Sequence, residues 1–483
     1  MTNMDAMTNI EARLFINGEF VHSSDHRTFE IISPSTRELV AQVEEASIAD
    51  TNAAVAAAKA AQPAWAAQPI HERAKPMKKL ATLIRANAQE ISYLEAISMG
   101  RPVAGYTDAF ICAGFFDYYA EAAWEAQGSS SLNTPETVAM TLRQPFGVAA
   151  GIIPWNVATT FFGMKVAPAI VAGNGMVLKT SEKAPLTCAF IATLIQQAGF
   201  PPGIINIIHG HGTVSGATLA SHMDVGVLSF TGSSRTGRLI MEASAKSNLK
   251  VVHLELGGKS PAIVFDDADM EQAAKETQFS VTWNSGQVCM ANTRIYVQDT
   301  CAERFIAAFK ENYSRVKVGS PTEPTTDIGP VADQSQFENV KRYIDLAKEA
   351  GTCVLGGEHE DVGKGYYIKP HIFTNLPDDS TPMREEIFGP VVAINVFKTE
   401  EEAVRRANDS EFGLYASLFT KDISRAMRVA KALDSGMVGV NCTSPTVAPD
   451  LLMGGYKGSG IGREGLKQSL LNFLEEKCVV IKI

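Results

Sequence analysis

The sequence has no apolar run of the ~18–20 residues that a helix needs to cross a bilayer. Nor has it a strong charge of either sign: 43 Lys and Arg stand against 53 Asp and Glu, a net −10 over 483 residues. A mild acidic surplus spread that thinly offers nucleic acid or an anionic membrane no basic patch, so neither is expected as a partner. Cysteine is scarce and irregular, with Cys112, Cys188, Cys289, Cys301, Cys353, Cys442 and Cys478 and no Cys-x-x-Cys pair. An odd, scattered set excludes a disulfide framework and a zinc ribbon, and points to free thiols in a reducing, cytoplasmic setting. The default for each is a small buried apolar residue, and no metal is expected. The opening MTNMDAMTNI lacks a basic segment before an apolar stretch, so no secretory leader is expected.

What is present is ordinary for a globular chain: 45% apolar, 20% charged and 8% aromatic residues. The length predicts two or three domains. Helices are expected over Thr51–Trp65, Pro69–Met99 and Phe110–Ala126, the second ending at Gly100-Arg101-Pro102. The polar Ser129–Arg143 segment reads as a hairpin or arm. From Val148 short apolar strands alternate with helices. Strands are expected at Val148–Ile153, Met176–Lys179, Ile204–Ile208, Val225–Phe230 and Val251–Leu254, with helices at Thr160–Ala172, Ala184–Ala198, Val214–Ser221 and Gly237–Ser247. This rhythm predicts an α/β fold with a parallel sheet whose ligands sit at the strands' carboxyl ends. It restarts near Pro261, with strands at Ala262–Phe265, Arg294–Val297, Val391–Val396 and Met437–Val440 and a polar turn over Glu358–Gly365.

Chemistry-bearing residues fall at the strand ends. Cys289 closes Asn284-Ser285-Gly286-Gln287-Val288-Cys289, where a glycine permits an unusual backbone path that presents a thiol. Thiolate is a natural nucleophile for an electrophilic carbon, although a buried structural cysteine fits the local sequence too. Glu255 follows the apolar Val251–Leu254 and precedes two glycines, a position for a general base or for an ordinary turn carboxylate. Asn156 follows Ile152-Ile153-Pro154-Trp155 and is an amide donor for an oxyanion or a turn residue. Phe230-Thr231-Gly232-Ser233-Ser234-Arg235-Thr236-Gly237 ends a strand and opens a helix, as a pyrophosphate requires. The Gly210-His211-Gly212 stretch only approximates a dinucleotide fingerprint, and His209 and His211 read as a solvated loop.

Seven words in order carry a resemblance: Pro154-Trp155-Asn156, Lys179-Thr180-Ser181-Glu182, Phe230-Thr231-Gly232-Ser233, Glu255-Leu256-Gly257-Gly258-Lys259, Gly286-Gln287-Val288-Cys289, Glu385-Glu386-Ile387-Phe388-Gly389-Pro390 and Gly454-Gly455-Tyr456-Lys457. Over nearly its whole length the chain resembles the aldehyde dehydrogenase superfamily, in its hydrolytic, NAD-dependent branch. The resemblance implies a Rossmann-like NAD-binding domain (residues 1–126 and 146–257) and a second α/β catalytic domain (258–457). It also implies a small β oligomerisation arm (127–145 and 468–483) that makes a homodimer or homotetramer. Cys289 would attack the aldehyde, Asn156 and the Cys289 N–H would hold the oxyanion, and Glu255 would activate the water that hydrolyses the thioester. Lys165 and Glu464 would assist proton movement. Lys179 and Glu182 would hold the adenosine ribose, Ser233 a phosphate, and Glu386 the nicotinamide ribose with Phe388 beside the ring. Ile152, Pro154, Trp155, Gly212, Phe230, Gly232, Gly237 and Leu256 would line the cofactor's path.

Departures from the family pattern concern the substrate. Val157-Ala158 follow Asn156 where many relatives carry an aromatic residue and a proline. Met164 stands where relatives acting on carboxylated semialdehydes have arginine, and Pro449-Asp450-Leu451-Leu452-Met453-Gly454 replaces a shorter lip. A tunnel of Val157, Phe161, Met164, Met290, Leu452 and Met453 has no cation for an ω-carboxylate, so an uncharged apolar or aromatic aldehyde is expected. Acyl transfer to coenzyme A is disfavoured because such relatives lack the base at Glu255. A catalytically silent scaffold would keep the fold without the chemistry, which the intact set Asn156, Glu255 and Cys289 argues against. A thiol hydrolase would need a histidine beside the cysteine, and no motif nominates one.

Overall fold

The structure is a computed structural model that describes residues 10–356, 364–446, 448 and 450–483. Two large sheets dominate it. The first has eight strands in the order Glu19–Val21, Leu14–Ile16, Ile205–Ile208, Gly175–Lys179, Val148–Ile152, Val227–Thr231, Val251–Glu255 and Gly460–Ile461. Its middle five strands run parallel and its outer ones antiparallel. Most of the parallel strands are buried along their full length, which is why they read as unbroken apolar runs rather than as alternation. Apolar clusters cover both faces, one around Phe116, Phe162 and Met176, the other around Val148, Val177 and Leu228.

The second sheet orders Thr352–Leu355, His371–Thr374, Val391–Phe397, Arg294–Gln298, Pro261–Val264, Tyr415–Phe419 and Met437–Val440, all parallel except the first. The strands at Thr352–Leu355, His371–Thr374 and Tyr415–Phe419 were not anticipated; four- and five-residue runs carry too little periodicity to separate strand from buried helix. The Glu358–Gly365 turn falls mostly outside the described residues.

The helical expectations need local corrections. The first helix is longer, Ile48–Ala66: Ser47 and Asp50 form a capping box, and Pro63 lies inside the last turns because its carbonyl still accepts the Ala67 N–H. The single helix expected over Pro69–Met99 divides at Asn87 (φ −109°, ψ 20°) into Ile70–Ala86 and Ala88–Met99. Gly100, at φ +84°, ends the second piece as expected. The third is Asp108–Ala122 followed by a short 3₁₀ turn. The helix expected from Gly237 begins earlier, at Ser234, because Ser233 caps it by accepting the Thr236 N–H. His209 is not solvated. It is fully buried, its Nδ1 lies 2.9 Å from the Thr180 hydroxyl, and burial pushes its pKa down to about 4. Cys353 and Cys478 are exposed, contrary to the buried default. No helix among the described residues is long and apolar enough to cross a membrane.

The Ser129–Arg143 arm pairs with the end of the chain. Thr137–Pro145 runs antiparallel to Leu474–Lys482 from Leu474↔Pro145 to Lys482↔Thr137, and Ser130–Ser131 adds a third strand. Asn174 anchors this sheet. Its fully buried amide donates to the carbonyls of Ala169 and Phe473 and accepts the Gly147 N–H, at 2.9–3.1 Å. Removing it strands buried partners, so Asn174→Ala should cost about 1–3 kcal/mol. A urea midpoint unchanged from wild type would refute that role.

Candidate active site

Glu255 ends strand Val251–Glu255 and Asn156 follows strand Val148–Ile152, so both emerge at the carboxyl edge of the first sheet. Cys289 reaches the same place from the second sheet, on the loop between helix Met270–Thr282 and strand Arg294–Gln298. The loop is irregular in a defined way. Asn284 (φ 49°), Ser285 (φ 59°) and Gly286 (φ 73°) are all left-handed, and a side chain on Gly286 would meet the Gly389 carbonyl at 2.3 Å. The glycine signal was legible; the two left-handed residues before it were not.

The Cys289 thiol donates to Glu255 Oε1 at 3.5 Å. The other carboxylate oxygen of Glu255 is buried without a partner. Burial first, and the charge of Glu464 second, push the Glu255 carboxyl up to about 8. Burial first, then Glu255, raise the Cys289 thiol well above its ordinary value. The pair therefore rests protonated near neutral pH. A carboxylate that strongly prefers a proton is a competent acceptor for one leaving a thiol or a water. Asn156 donates one amide hydrogen to the Gln287 carbonyl at 2.9 Å and retains a second N–H. Asn284 in turn donates to the Asn156 carbonyl at 2.9 Å.

These three residues line an open cleft of about 770 Å³ with Pro154, Trp155, Phe161, Gly232, Ser233, Leu256, Glu386 and Phe388, all expected from the sequence. Thr231 and Gly257, which stand inside the matched motifs but were given no separate role, also line it, as do Gln336 and Asn339, which were missed. Gln336 holds the far wall by donating to the Phe388 carbonyl at 2.8 Å, which fixes Phe388 in a left-handed conformation (φ 60°). No local motif marks it, since it lies at the third position of an ordinary capped helix, Gln334–Ala350. The Phe388 ring stands edge-on to Trp155, with centroids 5.4 Å apart. Glu386 accepts the Gly258 N–H at 2.9 Å, and burial pushes its carboxyl up to about 7.

The remaining expected residues lie around this cleft rather than in it. Lys165 and Glu464 form a buried ion pair behind Glu255, with the Ser229 hydroxyl donating to the same Glu464 oxygen at 3.1 Å. Lys179 is buried and 3.8 Å from the half-exposed Glu182, with Gly216 beside its stem. Gly212 opens the turn Gly212–Gly216. Ile152 and Phe230 are core residues of the first sheet. The Phe230 ring sits under Gly232, and Gly237 packs on Leu256. Of the six tunnel residues only Phe161 lines the cleft; Val157 and Met164 are packed in the core, Met453 packs against it, Met290 is half-buried and Leu452 is exposed. Pro449 lies outside the described residues. No His/Cys/Asp/Glu group suited to a metal occurs among the described residues.

Residues 20–479 match the aldehyde dehydrogenase family. The chain belongs to the aldehyde dehydrogenase family. It is 42% identical over 472 residues to an aldehyde dehydrogenase of Davidiella tassiana, covering 97% of this chain and 95% of that one. It is 40% identical to the mitochondrial benzaldehyde dehydrogenase of Antirrhinum majus, covering 97% and 88%. Among solved structures, the indole-3-acetaldehyde dehydrogenase of P. syringae in complex with NAD⁺ and IAA superposes with a TM-score of 0.96 at 35% identity, covering 98% of this chain and 97% of that one. This aldehyde dehydrogenase therefore carries its Cys289–Glu255 pair on a fold shared from end to end with its relatives.

The raised pKa of the half-buried Cys289 thiol predicts slow alkylation. Iodoacetamide modification of the cofactor-free enzyme should rise only at strongly alkaline pH. An apparent pKa below that of a free cysteine, read from the pH dependence of the labelling rate, would contradict this assignment.

Proposed function

We propose that this enzyme oxidises an uncharged apolar or aromatic aldehyde to the carboxylic acid with NAD⁺ and water. The observation carrying the proposal is the convergence of the Cys289 thiol, the Glu255 carboxyl and the Asn156 amide at one edge of one cleft.

The cleft suits a dinucleotide on several grounds. Gly232 and Ser233 lie at the start of helix Ser234–Lys246, whose unpaired N–H groups and positive end favour a pyrophosphate. Gly257 leaves open the space beside the Glu386 carboxylate, where a side chain would sit 2.7 Å from its oxygen. Lys179 and Glu182 stand ready for ribose hydroxyls, and the Glu182 carboxylate would repel the 2′-phosphate of NADP⁺. Glu386, Phe388 and Trp155 would hold the nicotinamide end. When bound, NAD⁺ supplies the hydride acceptor.

The protein's own residues then have distinct tasks. Cys289 Sγ adds to the aldehyde carbon as Glu255 takes its proton, giving a thiohemiacetal. The free N–H of Asn156 stabilises the oxyanion. After oxidation Cys289 carries the acyl group as a thioester; Glu255, having released the thiol's proton, accepts one from the water that hydrolyses it, and the Cys289 sulfur leaves. Lys165 and Glu464, buried behind Glu255, offer a route for that proton. Phe161 is the apolar contact offered to the substrate inside the cleft, beside the buried Val157 and Met164 and the lip residues Met290, Leu452 and Met453. The absence of a cation among them supports an uncharged aldehyde. The names of the benzaldehyde and indole-3-acetaldehyde relatives agree with an aromatic one. The same proposal divides the chain into an NAD-binding domain, a catalytic domain and the paired arm and terminal strand, which bridge subunits in a cytoplasmic homodimer or homotetramer.

Deacylation should rise with pH through about 8, because the base works only when ionised, and its buried carboxyl loses its proton there. Glu255→Gln should slow the burst of NADH, because the thiol loses its proton acceptor, lose steady turnover by about 100-fold or more, and lose this pH limb. Cys289→Ala should abolish NADH formation altogether. NADH formation by Cys289→Ala at the wild-type rate would overturn the covalent route. The cofactor assignment predicts a kcat/KM that favours NAD⁺ over NADP⁺, with Glu182→Gln narrowing the gap; a wild-type preference for NADP⁺ would reverse it.

A further inference from the structure

Arg101 lies 55 residues before Asn156 in the chain, yet touches its loop. It follows the left-handed Gly100 at the end of helix Ala88–Met99 and is almost fully buried. One guanidinium nitrogen donates to the Asn156 carbonyl at 3.3 Å. Another donates to Asp108 at 2.7 Å, and Glu95 lies within 3.9 Å. The guanidinium also stacks 4.5 Å over the Trp283 ring, which begins the left-handed turn leading to Cys289. The Tyr106 ring centroid is 5.2 Å away.

Two neighbours of this cation, Glu95 and Tyr106, are fastened to the first turn of helix Ala158–Val171, just after Asn156. Glu95 accepts both the backbone N–H (3.2 Å) and the hydroxyl (2.6 Å) of Thr159, three residues after Asn156. Tyr106 donates to that hydroxyl at 3.2 Å. Gly100 packs so tightly on Gly329 that a side chain on Gly329 would meet the Gly100 carbonyl at 2.1 Å. The Gly329 carbonyl accepts the Ser285 hydroxyl at 2.9 Å, in the turn before Cys289. Burial opposes the Arg101 charge, and Asp108 and Glu95 more than offset it, so the guanidinium stays charged. A buried cation with planar, forked donors can bind a carbonyl, a carboxylate and an aromatic face together, as an ammonium cannot.

We propose that Arg101 is a positioning residue: held by Asp108 and Glu95, its guanidinium fastens the Asn156 loop to the Trp283–Cys289 loop and sets the oxyanion amide against the nucleophile. The inference rests on the oxyanion reading of Asn156. Arg101 touches neither substrate nor cofactor in this scheme and acts through the Asn156 carbonyl and the Trp283 ring.

The test is the rate of the NADH burst at saturating aldehyde and NAD⁺ in Arg101→Met, Arg101→Lys, Asn156→Ala and the Arg101→Met/Asn156→Ala pair. Arg101→Met should slow the burst by about 10–100-fold, somewhat less than outright loss of an oxyanion donor. NAD⁺ affinity, followed by quenching of protein fluorescence, should change less than about twofold, since no cofactor contact is lost. Arg101→Lys should fall between Arg101→Met and wild type. Adding Arg101→Met to Asn156→Ala should slow the burst little further, because two residues acting through one interaction are not additive. A wild-type burst in folded Arg101→Met, or full additivity in the pair, overturns the proposal while leaving the oxyanion reading intact. A wild-type burst in Asn156→Ala overturns both. Should Arg101→Met fail to fold, Arg101→Lys decides: an intermediate loss with unaltered melting supports the proposal, and a wild-type burst rejects it.

Discussion

The centre depends on how closely two backbones can approach. The chain leaves the first sheet at Glu255 and enters the second at Pro261, and between them it runs against the Cys289 loop. A side chain on Gly258 would lie 2.3 Å from the Cys289 carbonyl, and one on Gly257 would strike the Glu386 carboxylate. With hydrogen at both positions, thiol and carboxyl meet across the junction and Glu386 closes on the same turn. The left-handed Gly286 does the equivalent on the other side, letting the Cys289 loop lie against Gly389 and Pro390.

Burial then sets the chemistry. Shielding Glu255, Glu386 and Cys289 from water favours their neutral forms, so the resting site holds protons that must move for reaction. That arrangement suits the proposed base, which would act first on a thiol and later on water. The buried Lys165–Glu464 pair lies outside the open cleft, where the proposed proton route would run. A second buried charge group, Arg101 with Glu95 and Asp108, contributes rigidity instead: its geometry is spent on loops rather than on substrate.

Much of this was legible in the sequence because the residues concerned sit at strand ends or beside glycines. Asn156, Glu255, Cys289, Gly232, Ser233, Glu386 and Phe388 all reach the cleft. Three strands of the second sheet escaped notice because short apolar runs have no period to read. Gln336 and Asn339 escaped because a helix face turned toward a cleft looks like one turned toward water. The tunnel residues illustrate the opposite limit. Val157 immediately precedes, and Met164 lies on, the helix that carries Phe161, yet of the three only Phe161 opens onto the cleft, since helical rotation and packing decide which side chain emerges.

The sequence by itself determined the α/β rhythm, the family and the candidate reacting groups, because apolar periodicity, glycine punctuation and ordered motifs are properties of the chain taken a few residues at a time. It did not determine that Glu255 would carry a raised pKa, that His209 would be buried, or that Arg101 would join two loops distant in sequence. Those outcomes depend on which charges and rings are brought together, and on how much water is excluded around them. Both are set by contacts between residues far apart in the chain, and so only the tertiary structure decided them.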